Sequence, residues 1–192
     1  EKTVFDYSET KHEFSLDIAP IIQGNYPSSL LYRNHYVSKN GKNVALRLGA
    51  IVNADFGTYI FDGGNQNDLY SNSQGINVYV GKEWQKTFHP KILGYIGMDF
   101  GAGFGRSEIL DPNRGNDSIN RSFFNFNSTG FLGMRYHFSK HFSVSAETSA
   151  SLNFNSATNV IETPDNPIIN EYFTSFGLSM SPLRAVRFSF HF

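Results

Sequence analysis

A histidine and a serine stand two residues apart in the last third of the chain, as His141 and Ser143, and Glu147 follows four residues after the serine. A serine hydroxyl becomes a nucleophile only beside a base, and the base needs an acid that orients it. His141, Ser143 and Glu147 are therefore the weak candidates for nucleophilic catalysis. The alternative is a histidine at the rim of the fold, with the serine and the glutamate in a polar interior.

The composition excludes several other kinds of chemistry. The chain has no cysteine, so it has no disulfides, no thiol catalysis and no zinc–thiolate site. The 16 Lys and Arg residues nearly balance the 17 Asp and Glu residues, so no basic surface predicts a nucleic-acid partner. The spacing of His, Asp and Glu fits no zinc site. We therefore predict no metal, no cofactor and no nucleic acid.

Two clusters of Asp and Asn, at 62–68 and 111–117, carry the oxygen ligands that calcium prefers. Neither cluster has the spacing of an EF-hand loop, and the same residue types are typical of turns. We therefore interpret both clusters as turn chemistry.

The elements that must position the candidate residues are β-strands, because apolar and polar residues alternate along most of the chain. The clearest example is 44–56, where every second residue is apolar. Aromatic residues make up 16% of the chain, which is typical of an ordered β protein and too many for a disordered one. Pro182 should bend the last strand or lie on a bulge. The pattern predicts eight strands, at 13–23, 29–37, 44–56, 75–86, 91–105, 122–138, 141–154 and 171–192.

The connections between these strands differ in length from one end of the sheet to the other. Four of them are short, at 24–28, 38–43, 87–90 and 139–140, and the first of these lies on the long-loop side. Three others are long, at Gly57–Gln74, Arg106–Arg121 and Asn155–Asn170. This asymmetry is typical of membrane barrels. The predicted fold is an all-β, eight-stranded, antiparallel, transmembrane up-and-down β-barrel with short periplasmic turns and three long extracellular loops. A β-sandwich or a lipocalin-like barrel is the alternative.

The two faces of the strands predict an apolar outside and a charged inside. Buried charges must be paired, and the inward faces carry both signs. The predicted lumen charge network contains Glu13, Asp17, Arg33, Arg47, Asp55, Glu83, Asp99, Arg135, Glu147 and Arg187. An aromatic girdle at the short-turn end would contain Tyr36, Trp84, Tyr136 and Phe138. Since eight strands leave room only for side chains, we expect no conducting pore.

The chain closes on a strictly alternating segment, with Phe188, Phe190 and Phe192 on one face. This ending, the alternation and the loop asymmetry resemble the small, eight-stranded Gram-negative outer-membrane β-barrel proteins, with no specific member indicated. The resemblance implies that these three residues are the C-terminal signal read by the barrel assembly machinery. It also implies an outer-membrane location after removal of a signal peptide, and contact with outer-membrane lipids.

The resemblance divides the chain into a periplasmic N-terminal segment, 1–12, and a single outer-membrane barrel domain, 13–192. His141, Ser143 and Glu147 are similar to the catalytic set of outer-membrane lipid A deacylases. They follow the shortest periplasmic turn, however, whereas lipid A lies in the opposite leaflet. We therefore predict a protein that is not an enzyme.

The expected role is structural or interactive, as a surface-exposed barrel or as an accessory subunit of a larger outer-membrane complex. It would contact other outer-membrane proteins through its long loops or its outer wall, and not through the lumen. Two alternatives remain at this point. One is the porin-like binding or passage of a small hydrophobic ligand, and the other is a lipid A-modifying enzyme.

Overall fold

Eight antiparallel strands form a closed barrel in which each strand pairs with its neighbours in sequence, and the first strand pairs with the last. The computed structural model describes residues 3–22, 24–27, 29–59, 69–111, 117–163 and 166–192. The strands are β1 (His12–Asp17), β2 (Ser29–Val37), β3 (Asn43–Tyr59), β4 (Leu69–His89), β5 (Ile92–Asp111), β6 (Asp117–His137), β7 (Phe142–Thr163) and β8 (Asn166–His191). The predicted eight-stranded, antiparallel, up-and-down β-barrel is confirmed.

Within these ranges, no helix is long and apolar enough to cross a membrane. The one described helix is α1 (Ala19–Ile22), which lies in the stretch predicted to be the end of the first strand. The backbone N–H of Ala19 donates to the Asp17 carboxylate over 3.1 Å, and Pro20 occupies the first turn, where its missing N–H costs nothing. The first strand is therefore shorter than predicted and ends at Asp17.

The side chains alternate across the barrel wall as the sequence predicts. On β4, Tyr79 and Glu83 are buried inside, whereas Val78, Val80 and Trp84 are exposed outside. The same alternation gives the barrel a polar interior and an apolar outer surface. The four residues of the predicted aromatic girdle all lie on the outer surface: Tyr36, Trp84, Tyr136 and Phe138. An outer wall of this kind is suited to lipid rather than to water.

Two inward glycines make room for large aromatic side chains on the neighbouring strand. Gly49 pairs with Tyr79, and a Cβ atom on Gly49 would overlap the tyrosine ring. Gly133 pairs with Tyr95, and a Cβ atom there would overlap that ring in the same way. The tyrosines therefore lie over their glycine partners and fill the interior without blocking the strand ladder.

The N-terminal segment packs inside the mouth of the barrel at the short-turn end. Phe5 is buried against Leu93, Tyr95 and Phe131. The backbone N–H of Val4 donates to the carbonyl oxygen of Pro90 over 2.9 Å. The stretch that the sequence indicates to be a separate periplasmic segment therefore contributes two aromatic residues, Phe5 and Tyr7, to the interior.

The strands continue far into the three regions predicted to be long loops. β3 and β4 pair as far as Tyr59 and Leu69, and β5 and β6 as far as Asp111 and Asp117. Their outer parts carry Asn, Ser and Gly on both faces and lack the apolar alternation by which lipid-facing strands are recognised. The loop boundaries Gly57–Gln74, Arg106–Arg121 and Asn155–Asn170 were therefore too wide, because ladder hydrogen bonds continue where the sequence pattern stops.

The short first hairpin leaves an opening in the wall. β2 pairs with β3 only up to Ile51, and β1 pairs with β8 only from Arg187 onward. Among the described residues, the outer part of β3 therefore pairs only with β4, and the outer part of β8 only with β7. We call the opening between 52–59 of β3 and 166–185 of β8 the lateral slot. Along β8 the register shifts between Ser181 and Ala185, which confirms the bulge predicted at Pro182.

Candidate functional site

The three candidate catalytic residues do not form a catalytic set. The Oγ atom of Ser143 lies 2.8 Å from Nε2 of His191, so its histidine partner is His191 and not His141. His141 precedes β7 and donates from Nδ1 to the backbone carbonyl oxygen of His191 over 2.9 Å. Glu147 accepts hydrogen bonds from Arg47 and Arg184. The predicted triad is separated because only residues within β7 share its inward face, and His141 lies in the turn before that strand.

A different serine, histidine and acid meet inside the barrel. His191 binds Ser143 through Nε2, and its Nδ1 lies 3.9 Å from Oε2 of Glu13, which is beyond hydrogen-bonding distance. All three side chains are fully buried. A nucleophile has to reach its substrate, so we interpret this group as part of the packed interior. The sequence could not reveal it, because the three residues come from β1, β7 and β8 and meet only through strand register.

The centre of the interior is a network of buried ion pairs around Arg47. Its guanidinium lies 3.0 Å from Glu83, 2.9 Å from Glu147 and 3.1 Å from Asp99. The guanidinium carbon also lies 3.7 Å from the centre of the Phe131 ring. One arginine therefore joins carboxylates from β4, β5 and β7 and stacks on a ring from β6.

The network continues toward the short-turn end through two more arginines. Arg33 pairs with Glu13 and lies 2.9 Å from Glu83. Arg135 lies 3.2 Å from Glu13 and 3.4 Å from Glu83. Both guanidinium groups face the Tyr95 ring, at 5.5 Å and 5.3 Å from its centre. Arg33, Arg47 and Arg135 thus each have carboxylates beside them, which makes their burial tolerable.

Arg184 is a member of this network that the sequence analysis missed. It lies 3.1 Å from Asp99 and 3.1 Å from Glu147. Its position in β8 is in phase with outward residues such as Val186, so strict alternation places it outside. The bulge at Pro182 adds residues to β8 and turns Arg184 inward. With it, four guanidinium groups face four carboxylates: Arg33, Arg47, Arg135 and Arg184 with Glu13, Glu83, Asp99 and Glu147.

The other three predicted network residues lie elsewhere. Asp17 and Arg187 are buried, and Arg187 donates to Ser29 over 3.4 Å and to Tyr79 over 3.5 Å. Asp55 is exposed, and none of the ion pairs between described residues includes it. Its placement in the network was wrong, because Asp55 lies beyond the end of β2, beside the lateral slot, where the side chain is exposed.

Tyr7 covers the network at the short-turn end. Its ring stacks on His35 with the centres 3.8 Å apart, and its hydroxyl lies 3.0 Å from Nε2 of His137. Arg135 donates to the same hydroxyl over 2.8 Å. Burial raises the pKa of the Tyr7 hydroxyl well above its ordinary value. The N-terminal segment therefore closes the mouth with a neutral phenol that is held by hydrogen bonds.

One group of donor atoms has the composition of a metal site. Glu13, His35 and His191 each offer an atom, and these atoms lie within 4.8 Å of one another. The sequence indicated no such site, because the residues belong to three strands. Arg135 lies 3.2 Å from the Glu13 carboxylate, so a cation would have to displace a guanidinium. Of the two predicted turn clusters, 62–68 and 112–116 lie outside the described residues.

The residues of the predicted assembly signal line the outer surface of the seam that closes the barrel. Phe188, Phe190 and Phe192 all face outward and are partly exposed. The backbone N–H of Phe192 donates to the carbonyl oxygen of His12 over 2.9 Å. Their recognition by the assembly machinery stays a prediction.

No protein-family model matches the sequence, and no curated protein matches it either. Among solved structures, the chain is similar to the crystal structure of a major outer membrane protein from Thermus thermophilus. The TM-score is 0.60 at 10% sequence identity, and the match covers 94% of this chain and 99% of that one. At this identity the likeness shows a shared fold, which is the β-barrel described above.

Proposed function

We propose that this protein is a non-enzymatic β-barrel of the bacterial outer membrane with a structural or protein-interaction role, as an accessory subunit of a larger outer-membrane complex. The apolar outer wall supports the membrane location, since an exposed apolar surface of this extent is unsuited to water. The name of the structural neighbour, an outer membrane protein, agrees with it.

The observation that carries the interaction role is the closed interior. The ion pairs of Arg33, Arg47 and Arg135 fill the barrel between the strands, and Tyr7 and Phe5 pack into the mouth beneath them. A solute would have to break several buried ion pairs in order to pass. Groups available for binding therefore lie on the outer wall, along the lateral slot and on the projecting hairpins.

Gentle extraction from native membranes tests this role. We expect the tagged protein to elute in a particle much larger than one 21.6 kDa chain in detergent, together with other outer-membrane proteins. We also expect no conductance in planar bilayers. Elution as a lone chain from native membranes would contradict the accessory role.

Passage of a small hydrophobic ligand is the second candidate, and the lateral slot favours it, because the slot opens the wall toward lipid. Saturable binding of a dansylated fatty acid to the purified barrel would support this function. A lipid A-modifying enzyme is the third. If the protein were such an enzyme, Ser143→Ala would change the mass spectrum of lipid A. Under our proposal, the spectrum stays unchanged.

Assembly through the C-terminal signal can be tested separately. We expect Phe192→Asp to reduce the amount of heat-modifiable folded barrel in the membrane several-fold, because it places a charge in the terminal aromatic position. Glu108→Gln, an exposed substitution far from the seam, is the control. Equal folded amounts in the two variants would count against an assembly signal.

A further inference from the structure

We propose that the lateral slot is filled by a two-stranded β-hairpin of another outer-membrane polypeptide. The inference rests on the accessory role proposed above and names the chemistry of the partner. It would bind by adding strands to the open edges of β3 and β8, with apolar side chains toward lipid and polar side chains toward the interior.

The width of the slot follows from the strand order. Near the short-turn end, β1 and β2 lie between β8 and β3 and close the wall. Beyond Ile51 and Arg187, both intervening strands have ended, while β3 and β8 continue. Since neighbouring strands are about 4.8 Å apart, the missing part of the wall is roughly 14 Å across, which is the space for two strands.

The backbone groups along both edges are directed into the slot. At the closed seam, Phe192, the residue after β8, exchanges backbone hydrogen bonds with His12 of β1, while the N–H of His191 donates to His141 beside β7. The outward residues of β8 therefore direct their N–H and C=O groups toward β1, and the inward residues toward β7. Since backbone direction and side-chain face alternate together, Leu178 and Met180 point their backbone groups into the slot.

The part of the slot nearest the short-turn end lies within the apolar part of the wall. Leu178 and Met180 are 70% and 78% exposed, against 56% for Leu132 and 56% for Val80, which lie on strands paired on both sides. Phe56 on the β3 edge is 71% exposed. Open sheet edges do not occur in lipid, because each unpaired backbone group there costs several kcal/mol. These edges therefore require a partner that supplies hydrogen bonds.

The inner border of the slot favours a polypeptide over an acyl chain. Asn53 on β3 and Ser181 on β8 face inward and are exposed, whereas Ser179 already accepts a hydrogen bond from Asn153 over 3.1 Å. An acyl chain would satisfy neither these polar side chains nor the backbone groups of the edges. A hairpin with alternating side chains satisfies both, as β1 and β2 do at the closed end.

Amide hydrogen exchange measures occupation of the slot directly. We compare the protein in native outer membranes with the purified chain in a lipid extract of the same membranes. We expect the amides of Phe176, Leu178 and Met180 to exchange at least about tenfold more slowly in native membranes, because they become paired there.

Equal protection in the lipid extract would identify lipid as the occupant. Protection that appears in the purified chain together with dimers would identify a second copy. Either result would overturn the proposal, and so would fast exchange in native membranes.

Two substitutions at one position separate the backbone from the side chain. Leu178→Pro removes an N–H that points into the slot and keeps the ladder to β7, so we expect it to release the partner. Leu178→Ala keeps the N–H and should retain the partner. Retention by both variants would overturn the proposal. If the native particle exists but Leu178→Pro stays in it, the hairpin inference fails while the accessory role stands.

If Leu178→Pro does not fold, a variant that closes the lateral slot with its own chain tests the same proposal. Residues 18–28 are replaced by a longer hairpin with strands that match 52–59 in length. We expect slow exchange at Leu178 in the purified variant and loss of the larger particle in native membranes. A variant that protects these amides and still enters the particle would overturn the proposal.

Discussion

Arg47 is the residue on which most of the interior converges. It contacts Glu83, Asp99 and Glu147, which belong to three different strands, and its guanidinium stacks on Phe131. A planar guanidinium with five donors suits this position better than an ammonium group does, because it can serve several carboxylates at once. The charge balance of the lumen therefore depends on single side chains.

We expect Arg47→Ala to lower the free energy of unfolding by about 3–5 kcal/mol, because it leaves three buried carboxylates without this partner. Guanidinium unfolding of the purified barrel in detergent, followed by tryptophan fluorescence, measures the change. Arg106→Ala is the control, since that side chain is exposed and its change should stay within about 0.5 kcal/mol. A similar small loss for both variants would show that the network does not stabilise the barrel.

Tyr7 makes the stability of the barrel mouth depend on pH in the alkaline range. Its pKa is raised by burial, so the folded state favours the protonated phenol. The stability that Tyr7 contributes is therefore complete below its unfolded pKa, about 10, and declines as the pH rises above it. We expect protease cleavage near the N-terminus to speed up from about pH 9 to about pH 11, where this decline starts. Tyr7→Phe should abolish that pH dependence, and an unchanged dependence in this variant would assign it to another group.

At the scale of the strand, the sequence predicts which face a residue occupies much better than which residue it meets. The alternation of apolar and polar residues correctly predicts that Glu13, Arg33 and Glu83 lie inside the barrel, because each strand's own sequence carries this two-residue period. Their contacts depend on register, which no single strand encodes. Arg184 shows the same limit, because the bulge between Ser181 and Ala185 interrupts the alternation of β8 locally, although the phase is the same on both sides of it.

The glycine–tyrosine pairs predict that Gly→Ala substitution at two positions of β3 has different effects on the free energy of unfolding. We expect Gly49→Ala to lower the unfolding free energy by about 1–3 kcal/mol, because the new methyl group overlaps the Tyr79 ring. Gly57→Ala on the same face is the matched control, since nothing lies within 4 Å of a Cβ atom there. Denaturant midpoints of the two variants measure the difference, and equal midpoints would show that Tyr79 moves aside without cost.

At the scale of the whole molecule, six of the eight described strands, β3 to β8, are much longer than a membrane requires. A membrane-crossing strand needs about 9–11 residues. β3 has 17 residues and β8 has 26. The long hairpins are therefore separate from the interior that stabilises the fold.

We expect shortened hairpins to leave the barrel folded. Replacing 58–70, 108–120 and 158–172 by tight turns removes no member of the ion-pair network. Heat modifiability on gels should stay as it is, while the size of the native particle should fall if these hairpins bind the partner. Loss of folding in the shortened variants would place stabilising contacts in the projecting region.

The position of Tyr7 also fixes an order of events during assembly. Its ring contacts His35 of β2, His137 of β6 and His191 of β8. These three histidines surround one point only after the last strand has joined the first. Tyr7 precedes all three of these strands in the chain, yet its contacts with the three histidines can exist together only once the barrel is closed.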